Sequence, residues 1–429
     1  MKFFILLFLL FFQSHALSFS FIKHESSSQD GPTLLVIGGI HGNEPGSYFA
    51  TSILSQYYTI QSGHLWIVPN LNKLSIAMDN RGVNGDMNRK FAEINSSDPD
   101  YTVVKEIQNI ITEPKVDLIL NLHDGHGFYR KEYKNTIFNP ASWGQTCVID
   151  QTTLDCDHPY KDLNKIALAV REELNDGLIE DYHSFDIRNT NTRFDDEAMK
   201  HSLTYFAINH NKPAFAIETS KNLPTLPEKV FYQLRAIEAY MRFLGITYTR
   251  TFNLTTENLI NLLKKSETVT INNTFILNLD NINNNLSYIP LQSDLNHFDF
   301  SHPLGLAVKN KDKFDLYIGN KKVTTLSQSI HEVAKCDEKI VLEIDKKQKN
   351  VVFATEFFVT ADFKVIIQNK DIRVNIIGYT PKSGNDEANA NVSIGDLDPK
   401  YSIDQNHKVY RVEFYRGNRF CGMVLAHFK

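Results

Sequence analysis

The segment Gly38-Gly39-Ile40-His41-Gly42-Asn43-Glu44-Pro45-Gly46 puts an imidazole and a carboxylate three residues apart on a glycine-flanked turn. It follows Thr33-Leu34-Leu35-Val36-Ile37, a short apolar run of the kind that forms an interior strand of a parallel sheet. Ligands of open α/β sheets bind at the carboxyl ends of strands, where the loops diverge into a crevice. His41 and Glu44 can converge there on one ion, and zinc accepts both donor types. A bare HxxE pair is a weak signal; the glycines and the strand end strengthen it. A third donor is His123, which directly follows the apolar run 116–122, with Asp124-Gly125 expected to turn the chain. Two histidines and one carboxylate leave the fourth position of a tetrahedral site open for water, which marks a catalytic rather than a structural metal site. His126 is the competing donor and ranks second because it lies past the expected turn.

Two further pieces suit such a site. The stretch from Arg81 to Phe91 carries Arg81, Asn84, Asp86, Asn88 and Arg89. A guanidinium fork matches a carboxylate through two parallel hydrogen bonds, so Arg89 with Asn88 is the candidate grip for a free C-terminus. Arg81 is the candidate for stabilising an oxyanion. A solvated loop with structural ion pairs is the competing reading of this stretch. The run Pro213-Ala214-Phe215-Ala216-Ile217 ends in Glu218, a carboxylate that could take a proton from water and pass it to a leaving amine.

These residues need an α/β frame to hold them. From residue 32 to about 245, strand candidates at 33–37, 65–68, 116–122 and 213–219 are separated by helical patterns at 46–58, 100–111, 163–174 and 227–244. That alternation predicts an α/β domain with a mixed, largely parallel sheet. After Gly245 the pattern changes to runs rich in Val, Ile, Phe and Thr at 268–279, 339–344, 351–360, 364–367, 372–379 and 410–414, which predict one or two small all-β domains. The expected division is 1–16, 17–245, 246–345 and 346–429, the last as an immunoglobulin-like β-sandwich. The Asn-rich piece at 272–285 is expected to form polar turns.

Composition narrows the classes. Of 429 residues, 42% are hydrophobic and 22% charged, which excludes a disordered chain, and a net charge of -5 with no basic block offers nucleic acid no purchase. Lys2, the apolar run 3–12 and Ser14-His15-Ala16 have the three parts of a signal peptide, with cleavage expected after Ala16. About 10 apolar residues are too few to cross a core of roughly 30 Å. The mature chain is therefore expected outside the cytoplasm, with no membrane span. Cys147, Cys156, Cys336 and Cys421 are free to pair there in three ways, and none has the spacing of a structural zinc site.

The order of HxxE, a distant Arg with Asn88-Arg89, a His after a strand and a late strand-end Glu resembles the M14 zinc metallocarboxypeptidases of the carboxypeptidase A type, over residues 32–245. Their succinylglutamate desuccinylase and aspartoacylase relatives show a similar His-Gly-Asn-Glu and Asp-x-Asn-Arg-x-Phe pattern, here His41 to Glu44 and Asp86 to Phe91. With the leader and the trailing β-domains, the chain looks most like the peptidoglycan DL-carboxypeptidases that set helical cell shape in curved Gram-negative bacteria. The resemblance implies a carboxypeptidase-like fold, one zinc ion on His41, Glu44 and His123, Glu218 as base, and Arg81, Asn88 and Arg89 on the substrate carboxylate. It also implies a periplasmic enzyme that trims muropeptide tripeptide to dipeptide and releases meso-diaminopimelate. Some of those enzymes have Gln as the first ligand, where this sequence has His41. Trp143 and Thr204 are candidate pocket walls, with plain packing as the competing reading. A zinc deacylase of small N-acyl amino acids and a non-catalytic wall-binding protein are the alternatives, and the β-domains are candidates for binding wall or protein partners.

Overall fold

A computed structural model describes residues 18–27, 30–293, 295–336, 339–367, 369–381 and 387–429. The leader expected at 1–16 lies outside the described residues. Seven strands build the main sheet. They are β1 (Ile22–Glu25), β2 (Thr33–Ile37), β4 (His64–Val68), β5 (Leu118–Gly125), β6 (Thr146–Ile149), β7 (Asp186–Asn189) and β8 (Ala214–Ser220); β3 (Tyr58–Ser62) pairs outside it. Their order is β1-β4-β2-β5-β8-β6-β7. The four central strands β4, β2, β5 and β8 run parallel, while β1 and β6 each join antiparallel. The sheet is mixed and largely parallel. β2, β4 and β5 are buried along their whole length, as interior strands covered on both faces should be.

The helices are α1 (Pro45–Tyr57), α2 (Lys73–Ala77), α3 (Tyr101–Ile111), α4 (Leu163–Leu174), α5 (Leu203–Asn209) and α6 (Leu226–Leu244). α6 packs on α1, α4 and β8. Its ends are fixed by local chemistry. Thr225 and Glu228 form a reciprocal capping box, and Gly245 closes the helix in the left-handed conformation at φ 76°.

The first core does not stop at Gly245. β9 (Thr247–Arg250) pairs with β3, and Leu259 of α7 (Thr256–Leu262) is fully buried in the same core as the sheet. The chain must return across the α1 edge before it can leave the domain.

Beyond residue 264 the described elements are β-strands and two single-turn 3-10 helices, Ile394–Asp396 and Pro399–Tyr401. The stretch 268–279 is a hairpin rather than one strand, Thr268–Ile271 against Phe275–Asn278, turning at Asn272 and Asn273, both with positive φ. Two β cores form. One collects Val269, Phe275, Ile289 and Leu316; the other, starting at Ala334, collects Leu342, Phe363 and Val374 between two four-stranded sheets. The hairpin of Val409–Arg416 and Arg419–Phe428 contributes side chains to both cores, so the two are riveted together. A disulfide joins Cys336 to Cys421, while Cys147 and Cys156 are free. The first β core also docks on the sheet domain: Leu304 is buried in the sheet domain's core, and Asn70 Nδ2 donates to the Pro303 carbonyl at 2.6 Å.

Candidate active site

β5 is longer than its apolar run suggests, and this sets the geometry of the site. Parallel pairing with β8 carries the strand through His123, Asp124 and Gly125, so the turn expected at Asp124-Gly125 is instead three more rungs of ladder. In that register His123 lies beside Glu218 and Asn121 beside Ala216. Alternate residues of a strand share a face, and all four line one cavity of about 280 Å³.

The loop after β2 brings the other two donors. Glu44 is the N-cap position of α1, but its side chain makes no capping bond and turns to the histidines. Its Oε1 meets His41 Nδ1 at 3.0 Å and its Oε2 meets His123 Nδ1 at 2.9 Å. Ligand atoms of His41, Glu44 and His123 all lie within 4.8 Å of one another, and all three residues are buried. Two glycines make this close approach feasible. A Cβ on Gly42 would meet the Ser75 carbonyl oxygen at 1.9 Å, and one on Gly46 would meet Asp124 Oδ1 at 2.4 Å.

The surrounding groups hold these donors still. Asp86 Oδ1 takes His41 Nε2 at 2.8 Å, the outer-carboxylate arrangement common for metal-ligating imidazoles. Asp86 Oδ2 accepts from Arg81 Nε at 3.0 Å, and Arg81 also donates to Glu44 Oε1 at 3.1 Å. Asp124 accepts from the Gly46 N–H at 2.8 Å and the Thr219 hydroxyl at 2.5 Å, which ties β5 to β8 and to the first turn of α1. Gln233 of α6 donates to the His123 carbonyl at 2.7 Å.

Charge is distributed unevenly. Burial, then the negative charges of Glu44 and Asp124, push Glu218 well above the usual carboxylate range, with Arg81 and Lys221 opposing. Burial raises Asp124 to about 6. Burial also disfavours the charged form of Asp86, but its hydrogen bond to His41 and the charges of His41 and Arg81 prevail and hold it well below that range. The donor set fits a divalent cation: two imidazoles and a carboxylate converge, the far nitrogen of His41 is held by a carboxylate, and Arg81 and Lys221 balance the acids.

Every residue singled out from the sequence lines this cavity: His41, Glu44, Arg81, Asn88, Arg89, His123, Trp143, Thr204 and Glu218. His126 lines it too, but is exposed and stands outside the donor group. Asn88 Oδ1 accepts from the Leu203 N–H at 2.9 Å and so anchors α5, the helix that carries Thr204. The Trp143 ring lies under the Arg188 guanidinium at 3.8 Å, and Arg188 also donates to the Ser142 carbonyl at 2.6 Å. Sequence reasoning gave no role to Asp86, Asn121, Arg188 or Lys221, and to Asp124 only that of a turn. Asn121 had a signal, a polar residue two before His123 inside an apolar strand. Arg188 had none, because its partner loop is more than 40 residues away.

Residues 3–264 match the family model for the catalytic part of a carboxypeptidase controlling helical cell shape, and 333–429 match that for the C-terminal domain of a metallo-carboxypeptidase. Among solved structures, the apo cell shape determinant Csd4 of Helicobacter pylori is 33% identical, with 96% of this chain and 100% of that one covered, at a TM-score of 0.90. The tripeptide-bound form of Csd4 matches equally, with the same coverage of both chains. Its mDAP-bound form, described as a D,L-carboxypeptidase, is also 33% identical and matches at 0.90, covering 95% of this chain and 100% of that one. No curated protein sequence matches the chain. With a family model covering more than half its length and a relative of this identity along nearly all of it, the chain belongs to the metallo-carboxypeptidases that control helical cell shape.

Proposed function

We propose that this enzyme is a zinc-dependent D,L-carboxypeptidase of the periplasm, which trims an uncrosslinked muropeptide tripeptide to the dipeptide and releases meso-diaminopimelate. The observation that carries this reading is the convergence of His41, Glu44 and His123 in one cavity with Glu218, Arg81 and Arg89. Csd4, which binds tripeptide and mDAP, supports the substrate, and the leader at 1–16 supports the compartment.

The chain's own groups divide the work. Arg89, whose Nη1 donates to the Asn88 carbonyl at 3.0 Å, grips the substrate's terminal carboxylate together with Asn88. Arg81, about half exposed beside Glu44, offers donors to the oxygen that becomes negative as the peptide carbon turns tetrahedral. Glu218, beside His123 in the sheet and on the same cavity wall, takes the proton of the attacking water and returns it to the leaving amine. Trp143 and Thr204 wall the pocket. Zinc on His41, Glu44 and His123 would supply Lewis acidity to the scissile carbonyl and to the attacking water.

The test is mass analysis of a muropeptide digest incubated with the zinc-loaded mature chain. Tripeptide should fall as dipeptide and free diaminopimelate rise in equal amounts. An unchanged tripeptide peak would sink the proposal.

A further inference from the structure

One polar side chain lining the cavity has no hydrogen-bond partner among the described residues. Asn121 is 1% exposed, yet among the described residues neither atom of its carboxamide has a hydrogen-bond partner. Buried amides are nearly always satisfied, so an unsatisfied one facing a cavity asks for a ligand. Asn121 shares a strand face with His123, two residues away, a span of ~6.6 Å. Beside it in the sheet stands the small side chain of Ala216, and Val148 and Met199 line the same cavity. Apolar walls around a polar floor suit a side chain of methylenes that ends in a polar head.

We propose that Asn121 is a specificity-determining residue that reads the far end of the C-terminal residue's side chain, its Oδ1 accepting from an ammonium and its Nδ2 donating to a carboxylate. The ligand class is an amino acid whose side chain itself ends in an amino-acid head, as diaminopimelate does. This inference rests on the carboxypeptidase reading above and names the group that selects the substrate within it.

The test uses tripeptides identical except for the last residue, which is meso-diaminopimelate, lysine (no distal carboxylate) or norleucine (neither polar group). Turnover by the zinc-loaded enzyme is compared with N121L and N121D. In N121L the kcat/KM preference for diaminopimelate over norleucine should fall about 100-fold, because the polar head loses both partners. In N121D the preference should move from diaminopimelate towards lysine, since a carboxylate accepts from the ammonium and repels the distal carboxylate. Calorimetry of free diaminopimelate should show weaker binding to N121L, while the ligand-free Tm of N121L stays level or rises as the unsatisfied amide is removed. If N121L fails to fold, N121D carries the test. Preferences within about 3-fold of the parent in the folded variants, with diaminopimelate still released, would overturn the role of Asn121 and leave the carboxypeptidase reading standing. A parent enzyme that releases no diaminopimelate would overturn both.

Discussion

Glu218 in the sheet domain and Glu413 in the β hairpin both sit on well-covered strands, but their strands treat them differently. Two residues before Glu413 is Arg411 and two after is Tyr415, on the same face. Arg411 pairs with Glu413 at 3.2 Å, and the Tyr415 hydroxyl donates to it at 2.7 Å. The corresponding neighbours of Glu218 are Ala216 and Ser220, which offer no cation, and the charges of Glu44 and Asp124 repel it. One strand neutralises its acid within itself. The other leaves its acid without a cation of its own, on the wall of the cavity that His41, Glu44 and His123 share. What separates the two carboxylates is whether the partner is built into the strand: Glu413 is buried together with Arg411, while Glu218 is half-buried on the cavity wall.

Two substitutions break that comparison in opposite senses. Glu218→Gln keeps the shape and removes the proton acceptor, so diaminopimelate release should fall by about 100- to 10,000-fold. Its unfolding midpoint should hold or rise, because repulsion from Glu44 and Asp124 goes with the charge. Glu413→Gln should do the reverse. Turnover at the distant site should persist, while Arg411 is left buried without a counter-charge, at a cost of about 3–5 kcal/mol by urea denaturation. Replacing Arg411 by Met and Glu413 by Leu together should recover most of that loss. Equal destabilisation by the two Gln variants would mean that Glu218, too, is held by a structural partner.

The same contrast explains what could be read from the sequence. The parallel frame and the three candidate metal donors were legible because His41 and Glu44 lie on the glycine-flanked loop after one apolar run and His123 directly follows another, local patterns both. The length of β5 was not, because its last three rungs are fixed by β8, some 95 residues later. Asp86 was visible as a residue but not as a partner, since its contact with His41 crosses 45 residues. In the β half, strands such as Lys321–Ile330 are not legible, because mixed exposed and buried positions blur the period-2 signal. The pairing of Cys336 with Cys421, separated by 85 residues, followed only from the fold. Local chemistry announces itself; long-range pairing does not.

The seam between the two regions can be sharpened by pH. His302 is buried next to Leu304, the residue that the first β core inserts into the sheet domain, and its Nδ1 accepts the Leu304 N–H at 3.1 Å. Burial lowers its pKa to about 4, outweighing the opposing charges of Glu267 and Asp280. An unfolded histidine titrates near 6.5. Between those values the unfolded chain binds a proton that the folded chain refuses, so stability is fully present above about pH 6.5 and declines as the pH falls towards 4. The decline from this one group should reach about 1 kcal/mol by pH 5.5. His302→Asn, whose Oδ1 can accept the same N–H two residues on, should remove that slope without changing the midpoint at pH 7.5. If the parent and the Asn variant lose stability in parallel between pH 7 and 5, the seam is not held by a neutral His302.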